Sequence, residues 1–202
     1  MHAQKLVWFV SKIASLHRIG NKAVTTKVVY QNNWFRVLNS GQWFFVKEEN
    51  SDNGALVLCY VGNRLVLVKV PRRAHETTLL EAPRGYGDPG ETAVAAAARE
   101  LFEETGYRVS ESDLQALGQV KPNSAILMTN VNVFRCVLPA DSRPERQHAE
   151  QVAKGQEGFQ EVDSVELIEP AQLTRLIATG QISCGLTLAA LMLAASVPAK
   201  SE

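Results

Sequence analysis

The chain has no acidic residue before Glu48, although Lys5, Lys12, Arg18, Lys22, Lys27, Arg36 and Lys47 precede it. Over its 202 residues, Lys plus Arg and Asp plus Glu balance at 21 each, so the first 47 residues carry about +7 and the remainder about −7. A balanced chain lacks the basic excess of a nucleic-acid-binding surface, and no nucleic-acid partner is expected. Cysteine is scarce. Cys59, Cys136 and Cys184 stand far apart with no CxxC pair, which gives no support to a zinc or dithiol site and fits reduced, buried thiols in a cytoplasmic setting. Long apolar runs are missing as well. The segment Leu6–Ile19 (LVWFVSKIASLHRI) has apolar residues at helical spacing, but Lys12, His17 and Arg18 interrupt it, and it is too short to span a bilayer. No small-residue cleavage pattern follows it, so a secretory signal is not expected. It reads as an amphipathic helix of an N-terminal extension, residues 1–26, packing on its own domain or a partner. An organelle-targeting or membrane-surface helix is the competing reading.

A composition of 46% hydrophobic and 21% charged residues is that of a globular protein and argues against global disorder. From residue 27 the pattern is strand-like: KVVYQNNWFRV, QWFFVKEE, ALVLCYV and RLVLVKV, separated by NSG, SDNG and GN. Gly62-Asn63 predicts a tight hairpin between Ala55–Val61 and Arg64–Val70. An irregular Pro-, Gly- and Arg-rich stretch, PRRAHETTLLEAPRGYGDP, follows. A helix is expected over residues 91–105, with Glu91 in its first turn, an Ala-rich packing face, and Gly106 ending it. Strand-like LQALGQV and AILMTNVNVFRCVL come next, then a polar loop over 139–161 and the strand VDSVELI. Helices are expected from Pro170 to Thr179 and over CGLTLAALMLAAS, the latter core or interface and too short to cross a membrane. This order of elements is α+β, a mixed sheet packed with helices, with strands 27–54 preceding a core over 55–198.

Within the helix, RELFEE crowds Glu100, Glu103 and Glu104 into little more than one turn. Carboxylates three and four apart repel by about 0.2–0.5 kcal/mol per pair. Such a cluster is either a solvated acidic face or a site for something positive. Glu81 and Glu91 lie nearby in sequence, and hard divalent cations take oxygen ligands of this kind. The spacing decides between the two. Gly85, five residues, Glu91, seven residues, then Arg99-Glu100-Leu101-Phe102-Glu103-Glu104-Thr105-Gly106-Tyr107 resembles the 23-residue motif of the Nudix hydrolases, GX5EX7REUXEEXGU, where U is a bulky aliphatic residue. Tyr107 departs from it at a packing position.

The resemblance implies a Nudix-type α/β/α sandwich and hydrolysis of a nucleoside diphosphate linked to another group. It implies Mg²⁺, with Mn²⁺ as an alternative, held by Glu100, Glu104, Glu103 and the backbone carbonyl of Arg84. Arg99 is expected to pair with Glu91, and Gly85, Gly87 and Gly90 to let the preceding loop turn. Upstream, LVLVKVPRRAHETTLLEAPRG resembles the ADP-ribose and nucleotide-sugar pyrophosphatase group. That likeness makes Arg72 or its neighbour Arg73 a phosphate contact, brings Glu81 into the substrate site, and makes Trp34 a base-stacking candidate, with core or interface packing as its alternative. Pro122, 15 residues past Tyr107, is another mark of that group. The general base is expected from the loop 139–161, as Glu157 or Glu161, and a homodimer is expected. ADP-ribose is the leading substrate. Other nucleotide sugars such as GDP-mannose, a catalytically silent nucleotide-binding module and RNA-end hydrolysis are the alternatives.

Overall fold

The computed structural model describes residues 16–19, 22–145 and 162–198, with side chains from residue 26 onwards. The chain divides into two compact units. One comprises the residues up to Glu49 together with Asn123–Thr129; the other comprises Asn50–Pro122 and the residues from Asn130 on.

The first unit is an antiparallel sheet of four strands among the described residues, in the order β1 (Leu16–Ile19), β2 (Lys22–Gln31), β3 (Phe35–Ser40) and β4 (Trp43–Glu48). The run KVVYQNNWFRV, expected as one strand, is broken into β2 and β3. The Asn32 carboxamide accepts from the N–H groups of Trp34 and Phe35, both at 2.8 Å, and so turns the chain there. Segment 123–129 joins the sheet edge, where Val46 N–H donates to Ile126 O at 2.7 Å and Met128 N–H to Val46 O at 2.9 Å. The helix expected over Leu6–Ile19 is corrected at its end. Leu16–Ile19 is a strand paired with Lys22–Thr25, and Leu6–Ser15 lies outside the described residues. Over four residues, helical spacing and strand alternation cannot be told apart, and Gly20-Asn21 in the sequence is a hairpin signal that favours the strand. The boundary expected at residue 26 therefore falls inside β2.

The second unit is built on a mixed sheet in the order β11 (Ser164–Ile168), β6 (Arg64–Arg72), β5 (Ala55–Val61), β10 (Val131–Leu138), β9 (Gln115–Val120). β7 (Thr77–Glu81) adds to β6, and the two-residue β8 (Arg84–Gly85) adds to β5. β5 and β10 are parallel, and the other pairs are antiparallel. Both faces of β5 are covered, which is why ALVLCYV is apolar throughout. Successive side chains of a strand point to opposite faces. Accordingly Ala55, Val57, Cys59 and Val61 pack with Ala96, Ala97 and Leu101 of α1 (Ala93–Thr105). Leu56 and Leu58 pack with Leu176 of α2 (Pro170–Ala178) and Ala190 of α3 (Gly185–Ser196). Helices thus lie on each face, giving the α/β/α sandwich. The stretch read as irregular before the motif contains β7 and β8. Of AILMTNVNVFRCVL only Val131–Leu138 is strand, because residues 123–129 belong to the first unit.

Candidate functional site

α1 begins at Ala93, two residues later than its acidic flank suggests. The Thr92 hydroxyl accepts from Ala95 N–H at 3.2 Å and caps the helix. Glu91 therefore lies before the cap, where its Oε2 accepts from Asp88 N–H at 2.8 Å. At the other end Gly106, at φ 76°, adopts the left-handed conformation and donates its N–H to Phe102 O. Tyr107 is buried in the core against Cys59 and Leu101, as a packing residue should be.

Burying Ala96, Ala97, Leu101 and Thr105 orients the rest of α1. Glu100 and Glu104, four apart, share a face and line a cleft of about 970 Å³ together with Glu81, Arg84, Arg72 and Arg73. A Cβ added at Gly85 would lie 2.1 Å from Glu100 Oε1, so the glycine opens the notch that this carboxylate fills. Glu104 Oε2 accepts from the backbone N–H of Arg84 at 3.1 Å, which ties the helix to β8. Glu103 is the most exposed of the three and lies outside the cleft lining.

Arg99 holds the cluster. It donates through Nε to Glu91 Oε1 at 3.1 Å and through Nη2 to Glu91 Oε2 at 2.9 Å. Its Nη1 reaches Glu100 Oε1 at 2.8 Å and Glu103 Oε2 at 3.0 Å, while Nη2 also donates to Tyr86 O at 2.9 Å. One planar fork thus serves three carboxylates and the loop backbone, a geometry lysine cannot reproduce. The hydrogen bonds to Glu91 raise the guanidinium's pKa and hold the Glu91 carboxyl below the usual range.

Glu81 is buried, at 1% exposure. Arg72 grips it bidentately, Nε to Oε1 and Nη2 to Oε2, both at 2.7 Å. Arg84 adds Nε and Nη2 to Oε2 at 3.2 and 3.0 Å. Burial pushes the Glu81 carboxyl up, but the hydrogen bonds of Arg72 and the two guanidinium charges outweigh it, and the net direction is down.

The structure thus brings Glu81, Glu100, Glu104, Arg72, Arg73, Arg84 and Gly85 to one cleft, with Glu91 and Glu103 bound to it through Arg99. Trp34 belongs to the first unit, where it is 77% exposed. Glu157 and Glu161 lie outside the described residues. Sequence reasoning missed Tyr86, His75 and the segment 183–185 leading into α3, which also line the cleft. It also missed Thr187, whose buried hydroxyl accepts from Ala82 N–H at 3.0 Å. Their signal was weak, since a hydroxyl in an apolar helix carries no spacing rule. A divalent cation fits the donor set, because Glu100 and Glu104 offer hard carboxylate oxygens to one cleft. Glu100 accepts from the Arg99 guanidinium and Glu104 from the Arg84 backbone N–H, and among the described residues no three His, Cys, Asp or Glu side chains are gathered as a ready metal cluster. No helix among the described residues is long and apolar enough to cross a membrane.

No curated protein matches the chain significantly. A solved structure described as an ADP compounds hydrolase is similar in fold, with a TM-score of 0.66 at 18% identity, covering 94% of this chain and 96% of that one. The NUDIX domain profile matches residues 51–182, well over half of the chain and all of the glutamate-rich helix, so this chain belongs to the NUDIX domain family.

Proposed function

We propose that the chain hydrolyses the pyrophosphate bond of a nucleoside diphosphate linked to another group, with ADP-ribose giving AMP and ribose 5-phosphate as the leading case. The observation that carries this reading is the pairing of Glu100 and Glu104 in one cleft, one set in the Gly85 notch and the other on the Arg84 N–H. Mg²⁺, or Mn²⁺ in its place, would be held by Glu100, Glu104 and the Arg84 carbonyl, with Glu103 at the edge. Such a cation neutralises diphosphate charge and lowers the pKa of a bound water. The protein's own part is orientation. Arg99 fixes Glu100 and Glu103, and the Arg72–Glu81–Arg84 cluster fixes the strand ends that carry Arg84.

In the balanced reaction, a water oxygen bonds to one phosphorus while the bridging oxygen leaves with the other phosphate. One water proton is taken up by a base, assigned to Glu157 or Glu161 beyond the described residues. Arg72 directs Nε and Nη2 to Glu81, and a guanidinium has five donors, so we assign phosphate contact to its Nη1 and to Arg73. The fold's likeness to an ADP compounds hydrolase supports trying ADP-containing substrates first.

Purified protein with Mg²⁺ is given ADP-ribose, GDP-mannose and a wider nucleotide-sugar panel, with release of nucleoside monophosphate measured. ADP-ribose should be turned over best, and absence of turnover across the panel would overturn the reading. Glu104→Gln should lower kcat by more than the 10–100-fold typical of losing a ligand's supporting partner. A silent binding module would change only modestly.

A further inference from the structure

The loop Tyr86–Glu91 borders the site, yet it has no helix or strand between β8 and α1. It is fastened from outside the family's motif. Residues 51–53 form a single 3-10 turn just before β5. From that turn the half-buried Asn53 donates through Nδ2 to Glu91 O at 2.6 Å and to Asp88 O at 3.2 Å. Asp88 O also accepts from Glu91 N–H at 2.9 Å, so the same amide secures both ends of the turn that presents Glu91. The fit is close. A Cβ at Gly87 would lie 2.3 Å from both Asn53 Cγ and Nδ2, and Gly87 has no left-handed φ that would itself demand glycine.

We propose that Asn53 is a positioning residue for the site. Its amide sets the Asp88–Glu91 turn, Glu91 sets Arg99 through two hydrogen bonds, and Arg99 sets Glu100 and Glu103. Asn53 thereby acts on divalent-cation affinity and turnover without touching substrate. Gly87 is its steric counterpart, kept free of a side chain so that the amide can lie against the backbone. This inference rests on the proposed hydrolase reading for its effect on turnover, but not for its effect on the loop.

The test uses the full chain as wild type, Asn53→Ala, Gly87→Ala and the double variant, each confirmed folded by circular dichroism at the assay temperature. Mn²⁺ binding is titrated directly, nucleotide turnover is measured separately, and hydrogen exchange is followed for the peptide containing Asp88 and Glu91. Asn53→Ala should weaken Mn²⁺ binding about 10-fold or more, the range for partners that orient ligands, lower kcat with little change in KM, and speed exchange at Asp88 and Glu91. Gly87→Ala should have a similar effect by displacing the amide. The double variant should be no worse than Asn53→Ala, because removing the amide makes room for the new methyl group. Unchanged exchange in Asn53→Ala overturns the proposal, as does a double variant whose losses multiply. A wild type that neither turns over nucleotides nor binds Mn²⁺ would overturn the hydrolase reading, and the exchange data would still decide whether Asn53 sets the loop.

Discussion

Glu100 and Gly85 share one volume: the carboxylate occupies the space an ordinary side chain would need. Gly85→Ala should therefore displace Glu100 while leaving the backbone unstrained, since Gly85 has no left-handed φ. The expected outcome is a loss of about 10–100-fold in divalent-cation affinity, read by Mn²⁺ titration, with the thermal midpoint little altered. Glu81 gives a second prediction at this scale. Its carboxyl is held below the usual range, so the folded state binds its proton less readily than the unfolded chain does. That stabilisation is present above the unfolded pKa and fades as pH falls through the folded value. Urea unfolding from pH 7 down to pH 3 should show wild type losing stability below about pH 5, near and under the ordinary Glu value. Glu81→Gln should show a shallower loss over the same range. At pH 7 Glu81→Gln should be less stable by about 1.5–3 kcal/mol, the value of hydrogen bonds to charged groups.

At the scale of elements, α1 serves two surfaces at once. Its apolar face buries Leu101 completely under β5, and its acidic face lines the cleft. Leu101→Ala should cost about 2–5 kcal/mol in denaturant unfolding, because the sheet behind it cannot collapse into the gap. This double duty made α1 the most readable element in the sequence: alanines and Leu101 at helical spacing, an end at Gly106, and carboxylates between them. The two-residue β8 was not readable, because a strand so short has no alternation to detect. β7 was hidden by exposed Thr77 and Thr78 in a stretch rich in turn residues. The ends of α1 show how capping overrides charge, since Thr92 starts the helix that Glu91 was expected to start.

For the whole molecule, the sandwich could be read from the order of its segments, and the motif fixed where the carboxylates belong. The pairing of Arg99 with Glu91 could be read with it, but the arginine partners of Glu81 could not. Arg72 was expected at the site through the likeness of its segment, but its bidentate grip on Glu81 was not, and it arises because β6 folds back on β7 so that the two side chains meet. Pairings of that kind depend on strand register, which a single sequence leaves open. The oligomeric state is a prediction at this scale. The first unit exposes Tyr30, Trp34, Trp43 and Phe44, more aromatic surface than scattered single residues need, and a homodimer is expected. Light scattering should give a mass near twice 22.2 kDa, and a monomeric mass would refute it.

The hydroxyl of Thr187 closes a backbone gap at Ala82, a residue 105 positions earlier in the chain. A contact over such a separation needs both distant segments of the chain to be present before it can form. During synthesis the N-terminal portion emerges first, so the glutamate helix leaves the ribosome well before the residue that fastens the strand end in front of it. A nascent chain halted before α3 would hold every motif carboxylate and still lack the bond that seats their platform.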